Sequence, residues 1–98
     1  MTTKDGFFVE WDALKNEINK LKHSVDFVEA SSVFDDANAI LIGDDAHSEG
    51  EERFILLGMS AKSRILCVVH CFRSTNSIRI ISARKATSRE QRQYEEFL

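Results

Sequence analysis

The stretch FILLGMSAKSRILCVVHCFRSTNSIRII, which covers residues 54–81, decides the fold of this chain. It contains three apolar runs of strand length, Phe54–Met59, Ile65–His70 and Ile78–Ile81, and isoleucine and valine are frequent in them. The polar connections between the runs are short enough for hairpins. The stretch therefore predicts three neighbouring strands of an antiparallel meander.

Two further strands are predicted upstream of this stretch. Ala39–Ile42 is a fourth apolar run, and an acidic loop over residues 43–52 joins it to the meander. The aromatic segment Phe7–Trp11 is predicted as an additional short N-terminal strand or as an extended segment. The sheet thus has four antiparallel strands, with the N-terminal segment as a candidate fifth.

The first predicted helix begins after Asp12, a typical N-cap residue, and ends near His23. Leu14, Ile18 and Leu21 follow the i, i+4, i+7 spacing of one apolar helix face. The lysines and asparagines of this segment fall elsewhere on the helix. The pattern is that of an amphipathic helix.

A second, shorter helix is predicted after Asp26, and Glu29 follows three residues later in a capping-box-like arrangement. A third helix is predicted over residues 88–97, packing through Tyr94 and Phe97. We expect a single domain over residues 1–98 of the α+β class, with two N-terminal helices, the sheet and a C-terminal helix. The apolar stripe of the second helix comprises Phe27, Ala30, Val33 and Phe34.

Composition limits the class of protein. The 98 residues are 43% hydrophobic and 30% charged, which is typical of an ordinary globular domain. We expect a cytoplasmic protein without a membrane association, because the apolar runs are short and acidic residues interrupt the N-terminus. Cys67 and Cys71 lie about 13 Å apart along one predicted strand, so a disulfide between them cannot close, and buried thiols are expected.

Charge is divided unevenly along the chain. The formal net charge is −3, but residues 1–52 contain thirteen Asp and Glu against four Lys, and residues 53–98 contain nine Lys and Arg against three Glu. All seven arginines belong to the second half. Either folding gathers them into a surface for an anionic partner, or the two halves neutralise each other.

The strand at Ile78–Ile81 contains the first candidate site residue. Arg79 interrupts the apolar run, and Arg84 and Lys85 follow at its end. An arginine that faces a cleft can hold a phosphate bidentately, whereas one that faces solvent is the polar side of an alternating strand. Arg53 opens another strand, and sheet pairing could bring it near Arg79 or Arg84.

Histidines and carboxylates supply candidate acids and bases. Glu51, at the end of the acidic loop, could act as a base or orient an arginine, and His23, beside Lys22, is either an acid–base group or a helix cap. The loop matches no metal-binding motif, so no metal is expected. Phe72 and Tyr94 are either base-stacking or core aromatics. These residues alone name no reaction.

Several fragments in a fixed order closely resemble the BrnT toxin family over nearly the whole chain. The N-terminal fragment contains Trp11-Asp12, Lys22-His23 and the pair Asp35-Asp36; the central one is "EERF" at 51–54; and the third is "RIISARKAT" at 79–87. The chain departs from the family pattern at Ser24 and Ala37, where glycine and proline are usual. Ser88 and Gln91 occupy positions that are often arginine.

The resemblance implies a fold similar to RelE-type toxins and a metal-independent endoribonuclease that needs no cofactor. It also implies a type II toxin–antitoxin system, in which a BrnA-like ribbon-helix-helix antitoxin neutralises the toxin and binds operator DNA with it. A homodimer within that complex, through an exposed strand edge, is left open. The alternatives are a non-catalytic module that docks an acidic partner, and a degenerate toxin that has lost its activity.

For such an enzyme we expect Arg79 and Arg84 to stabilise the charge that develops on the phosphate. Glu51 or His23 would move protons. The expected RNA-binding residues are Arg53, Lys22 and Lys85.

Overall fold

The computed structural model describes residues 2–43 and 52–98, and it has the expected α+β architecture. Its sheet contains five strands in the order β1-β5-β4-β3-β2. The strands β2 to β5 form the predicted antiparallel meander. Their bounds are β1 Phe8–Glu10, β2 Ile40–Gly43, β3 Phe54–Met59, β4 Ile65–Ser74 and β5 Ser77–Lys85.

The N-terminal segment does form a strand. Strand β1 pairs with β5 in parallel, with Val9 opposite Ile78 and Glu10 opposite Arg79. The sheet is therefore mixed rather than purely antiparallel. Because β1 ends at Glu10, it covers only the first part of the outer edge of β5.

A bulge in β5 sets the direction of its arginines. Val69 pairs with Ser82 while His70 pairs with Ile80, so Ile81 is an extra residue in the strand. Strict alternation would send Arg79 and Arg84 to opposite faces, because Arg84 follows Arg79 by five positions, an odd number. The bulge restores them to one face, which we call the arginine face.

The other face of the sheet carries the main core. Phe27, Ala30 and Val33 pack there against Val68 and Ile80. Helix α2 spans Phe27–Ser32 and continues as a 3-10 turn, Val33–Asp35. Asp26 caps α2 as predicted, since its side chain accepts a hydrogen bond from the Val28 backbone N–H.

Helix α1, Ala13–His23, begins after the predicted cap Asp12 and ends at Ser24, which has a φ of 58°. The left-handed φ explains why glycine is usual at this position, and Ser24 adopts the same conformation at a small cost in strain. The apolar face of α1 is not buried. It is exposed, and the helix packs instead through Asn19, which is 5% exposed.

Helix α3, Ser88–Glu96, has a complete capping box between Thr87 and Glu90. Tyr94 is buried as predicted and packs with Leu57 and Cys67. The prediction for Phe97 was wrong, because this side chain is 70% exposed at the end of the helix.

The capping box predicted for α2 was also wrong, because the Glu29 carboxylate binds Arg64 and Ser60 instead.

Candidate nucleic-acid interface

Arg79 is half-buried on the arginine face, near the outer edge of the sheet. Its backbone lies opposite Glu10 on one side and Cys71 on the other. Within residues 2–43 and 52–98 its guanidinium has no hydrogen bond or ion pair at contact distance. A planar donor group held by a strand, with its donors uncommitted, is suited to a phosphate.

Arg53 immediately precedes β3. Phe54 lies opposite His70, so continuing this register by one residue sets Arg53 opposite Cys71 and in the same row as Arg79. Two strand spacings, about 10 Å, then separate the two arginine backbones. This register agrees with the expectation that Arg53 and Arg79 belong to one basic patch.

Arg84 has a different environment, farther along the arginine face. Its guanidinium donates two hydrogen bonds to the Glu90 carboxylate, at 2.7 and 3.0 Å. These bonds lower the pKa of Glu90 to about 2, and burial raises the pKa of the neighbouring Cys67 thiol to about 12. Arg84 thus connects β5 to α3, and the sequence did not indicate this pairing.

Helix α1 runs along the part of β5 that β1 leaves uncovered. Asn19 bonds both backbone groups of Ala83: its amide donates to the carbonyl at 2.9 Å and accepts from the N–H at 3.1 Å. The Asn19 side chain thereby replaces a neighbouring strand. Beside it is a cavity of about 240 Å³ whose walls include Lys15, Lys22, His23, Ile81 and Ser82.

The structure brings together some of the predicted residues and separates others. Lys22 and His23 share the cavity at the β5 edge, whose strand residues lie between Arg79 and Arg84 in the sequence. Lys85 lines a different cavity of about 320 Å³, together with Ser63, Arg64 and Gln91. Glu51 falls outside the described residues, so its position is not part of this geometry.

Sequence reasoning missed a second arginine pairing. The Arg64 Nε donates to Glu29 at 2.9 Å, and the Ser60 hydroxyl donates to the same carboxylate at 2.7 Å. The Arg64 guanidinium holds the pKa of the buried Glu29 below its usual value. A glutamate on a helix face that otherwise reads as apolar was the available signal, but its partner lies far away in sequence.

His70 lies inside an aromatic cluster on the face of the sheet that carries the main core. Its ring centroid is 4.9 Å from that of Phe34 and 5.5 Å from that of Phe72. Burial lowers its pKa, so the ring is neutral at pH 7. Phe72 is 44% exposed and Tyr94 is a core residue, so of the two predicted stacking candidates only Phe72 is accessible to a base.

Two negative findings apply to the described part of the chain. Within residues 2–43 and 52–98, no group of three or more histidine, cysteine or acidic side chains could hold a metal ion. No helix in these ranges is long and apolar enough to cross a bilayer.

Comparison with known proteins identifies the family. The model of the family described as "Ribonuclease toxin, BrnT, of type II toxin-antitoxin system" matches residues 11–90. The chain is similar in fold to the crystal structure of the Brucella abortus ribonuclease toxin, BrnT, with a TM-score of 0.66 and 21% sequence identity. That likeness covers 84% of this chain and 99% of the Brucella chain. No curated protein sequence matches.

Proposed function

Since the chain belongs to the BrnT family of ribonuclease toxins of type II toxin–antitoxin systems, we propose that it is an endoribonuclease that works without a metal ion. The RNA 2′-hydroxyl attacks the adjacent phosphorus, and the bond from phosphorus to the 5′-oxygen breaks. The products are a 2′,3′-cyclic phosphate and a 5′-hydroxyl. One proton leaves the 2′-oxygen and one reaches the departing 5′-oxygen.

The observation that carries this proposal is the guanidinium of Arg79, whose donors have no partner among residues 2–43 and 52–98. The phosphorus passes through a state with additional negative charge on its oxygens, and a fixed cation with two parallel donors lowers the energy of that state. Arg79 is held by pairing on both sides of β5, so little rearrangement is needed when the phosphate arrives.

Neighbouring cations hold the RNA backbone in this proposal. Lys22 contacts a phosphate from the cavity at the β5 edge. Arg53, which lies two strand spacings across the sheet from Arg79, contacts another phosphate. Lys85 contacts the strand farther along β5. Because Lys85 lines a separate cavity, we expect it to affect affinity for RNA and not the rate of the chemical step.

His23 and Glu51 move the protons in the proposed reaction. His23 shares its cavity with Lys22, so its ring would lie beside the phosphate that Lys22 holds. Glu51 lies two residues before Arg53, which immediately precedes strand β3. Arg84 adds a second positive charge on the arginine face, and a phosphate there would compete with Glu90 for its donors.

The proposed partner is a BrnA-like antitoxin of the ribbon-helix-helix class, encoded next to this chain. It neutralises the toxin in the cytoplasm and binds operator DNA together with it. A homodimer of the chain within that complex is compatible with the sheet, whose outer strand β2 pairs on one side only among the described residues.

Expression with and without the neighbouring gene tests the proposed activity. Growth arrest with new RNA 5′-hydroxyl ends is expected, and both disappear in Arg79→Ala while the variant stays folded. Arg73→Ala is the matched control, because Arg73 is an exposed arginine on the adjacent strand β4. Normal growth and intact RNA with the folded wild-type chain would contradict the proposal and favour a non-catalytic module or a degenerate toxin.

A further inference from the structure

Helix α1 presents an apolar stripe to solvent. The side chains of Leu14, Ile18 and Leu21 are 69%, 54% and 89% exposed, although an amphipathic helix ordinarily turns such a face to the core. None of the three belongs to either core cluster of the described residues. Large aliphatic side chains that form one contiguous, exposed stripe are typical of a surface that binds a partner.

Specific hydrogen bonds fix the helix in this orientation. Asn19 bonds both backbone groups of Ala83, and the side-chain Oδ1 of Asn16 accepts a hydrogen bond from the Phe27 backbone N–H at 2.9 Å. Both asparagines lie on the side of α1 opposite the apolar stripe. Rotating the stripe inward would break these bonds and leave buried polar groups without partners, which is costly. The exposure of the stripe is therefore built into the fold.

The charges beside the stripe indicate what it binds. Lys15 and Lys22 lie on one flank, where they also line the cavity at the β5 edge. On the other flank Glu17 is paired with Lys20 at 3.2 Å, so this flank contributes no net charge. The stripe thus combines apolar contact area with a positive border, and a complementary surface is apolar with acidic residues on one side.

We propose that the stripe Leu14–Ile18–Leu21 is the docking site of an acidic amphipathic helix from the antitoxin, an inference that rests on the proposed function. The partner helix would insert apolar side chains at i, i+4 and i+7 spacing between those of α1 and direct its carboxylates to Lys15 and Lys22. Lys22 and His23 belong to the proposed RNA site. Docking here therefore places acidic groups where RNA phosphate would bind and blocks the enzyme directly.

Affinity measurements with the purified product of the adjoining gene test this docking site. The double variant Leu14→Glu/Leu21→Glu introduces carboxylates into the contact area without removing any core side chain. We expect it to weaken the affinity about 100-fold, because each side chain that anchors an interface contributes roughly tenfold. The matched control is Phe97→Glu/Leu98→Glu, which changes two exposed side chains on α3 and at the C-terminus and should alter affinity less than about twofold.

Charge and activity provide the second readout. Lys15→Glu should weaken the affinity at low salt, and the difference from wild type should shrink as added salt screens it. RNA cleavage by the free Leu14→Glu/Leu21→Glu variant should stay at the wild-type level and resist inhibition by the antitoxin, because neither side chain lines the cavity that contains Lys22 and His23. Equal affinity of this variant and wild type overturns the docking site while leaving the ribonuclease intact; a wild-type chain that neither cleaves RNA nor binds the neighbouring protein overturns both proposals.

Discussion

The arginines of this chain occupy two contrasting regions. At the α3 end of the sheet and beneath α2, Arg84 and Arg64 bind Glu90 and Glu29 through paired donors. Arg79 on β5 and Lys22 on α1 have no such carboxylate within the described residues. The contrast shows that carboxylates within the fold neutralise part of the positive charge of the arginine-rich half of the sequence. Cations that have no carboxylate partner in the described part of the chain remain for an anionic partner.

Removing Arg79 should produce the largest effect on activity. Arg79→Ala is expected to lower kcat for RNA cleavage about 10²- to 10³-fold, the usual cost of losing one donor to a developing oxyanion. The melting temperature should hardly change, because no ion pair or hydrogen bond of this side chain is lost within the described ranges. Cleavage of a defined RNA, followed with Arg73→Ala in parallel, measures this. A kcat like that of wild type would remove Arg79 from the mechanism.

Removing Arg64 should affect stability instead. Arg64→Ala leaves the Glu29 carboxylate, which is 5% exposed, with Ser60 as its remaining side-chain partner. We expect the free energy of unfolding to fall by about 3 kcal/mol, as for other buried pairs that lose one member. Urea titration measures it, with Arg92→Ala on the exposed surface of α3 as control. A loss equal to that of the control would show that the Glu29 pairing contributes nothing.

Glu90→Gln tests whether Arg84 acts in the ion pair with Glu90 or in RNA cleavage. The pair with Arg84 is partly exposed, so its loss should cost only about 1 kcal/mol of stability, and glutamine can still complete the capping box. The variant also frees the Arg84 donors, so RNA cleavage should not decrease, whereas Arg84→Ala should lower it. Reduced cleavage in Glu90→Gln would mean that the ion pair itself positions the site.

The Arg84–Glu90 pair predicts that the stability of the fold decreases as the pH is lowered. The pKa of Glu90 falls from 4.5 to about 2 on folding, so the unfolded chain binds a proton that the folded chain does not. The stability difference between wild type and Glu90→Gln should be complete above pH 4.5 and fade as the pH falls towards 2. A difference that is constant across this range would contradict the low pKa.

Buried His70 should add a smaller pH dependence of the stability, at higher pH than that of Glu90. Its pKa lies below 6.5 in the folded chain, so acidification below this value protonates the unfolded state first and lowers the stability. His70→Phe keeps a ring in the aromatic cluster and should flatten the stability profile between pH 7 and 5. If the variant retains the wild-type slope there, the dependence arises from other groups.

Local sequence patterns predicted most of the fold. Local sequence alone specifies the apolar runs of strand length at β3, β4 and β5 and the caps Asp12 and Asp26, because both depend on near neighbours. The parallel pairing of β1, the bulge at Ile81 and the burial of Asn19 depend on residues distant in the chain. The bulge matters most for the site, since it brings Arg79 and Arg84 to one face although simple alternation separates them.

The candidate site was predicted in its residue types more than in its grouping. The arginine-rich half of the chain indicated an anionic partner, and Lys22 and His23 do share one cavity. Their placement beside β5 follows from two hydrogen bonds of Asn19, which no periodicity reveals. The ion pair between Arg84 and Glu90 was likewise not predictable from the sequence, because an i, i+6 pair between a strand and a helix follows no local pattern.

The bonds between Asn19 and Ala83 also bear on whether copies of the chain associate through their strand edges. Exposed strand edges recruit strands from other molecules, and this is a common route to insoluble assemblies. One asparagine side chain caps the β5 edge by occupying the donor and acceptor that an incoming strand would use. Replacing it with leucine would free those groups, and the chain would then be expected to self-associate and aggregate long before its core loosens.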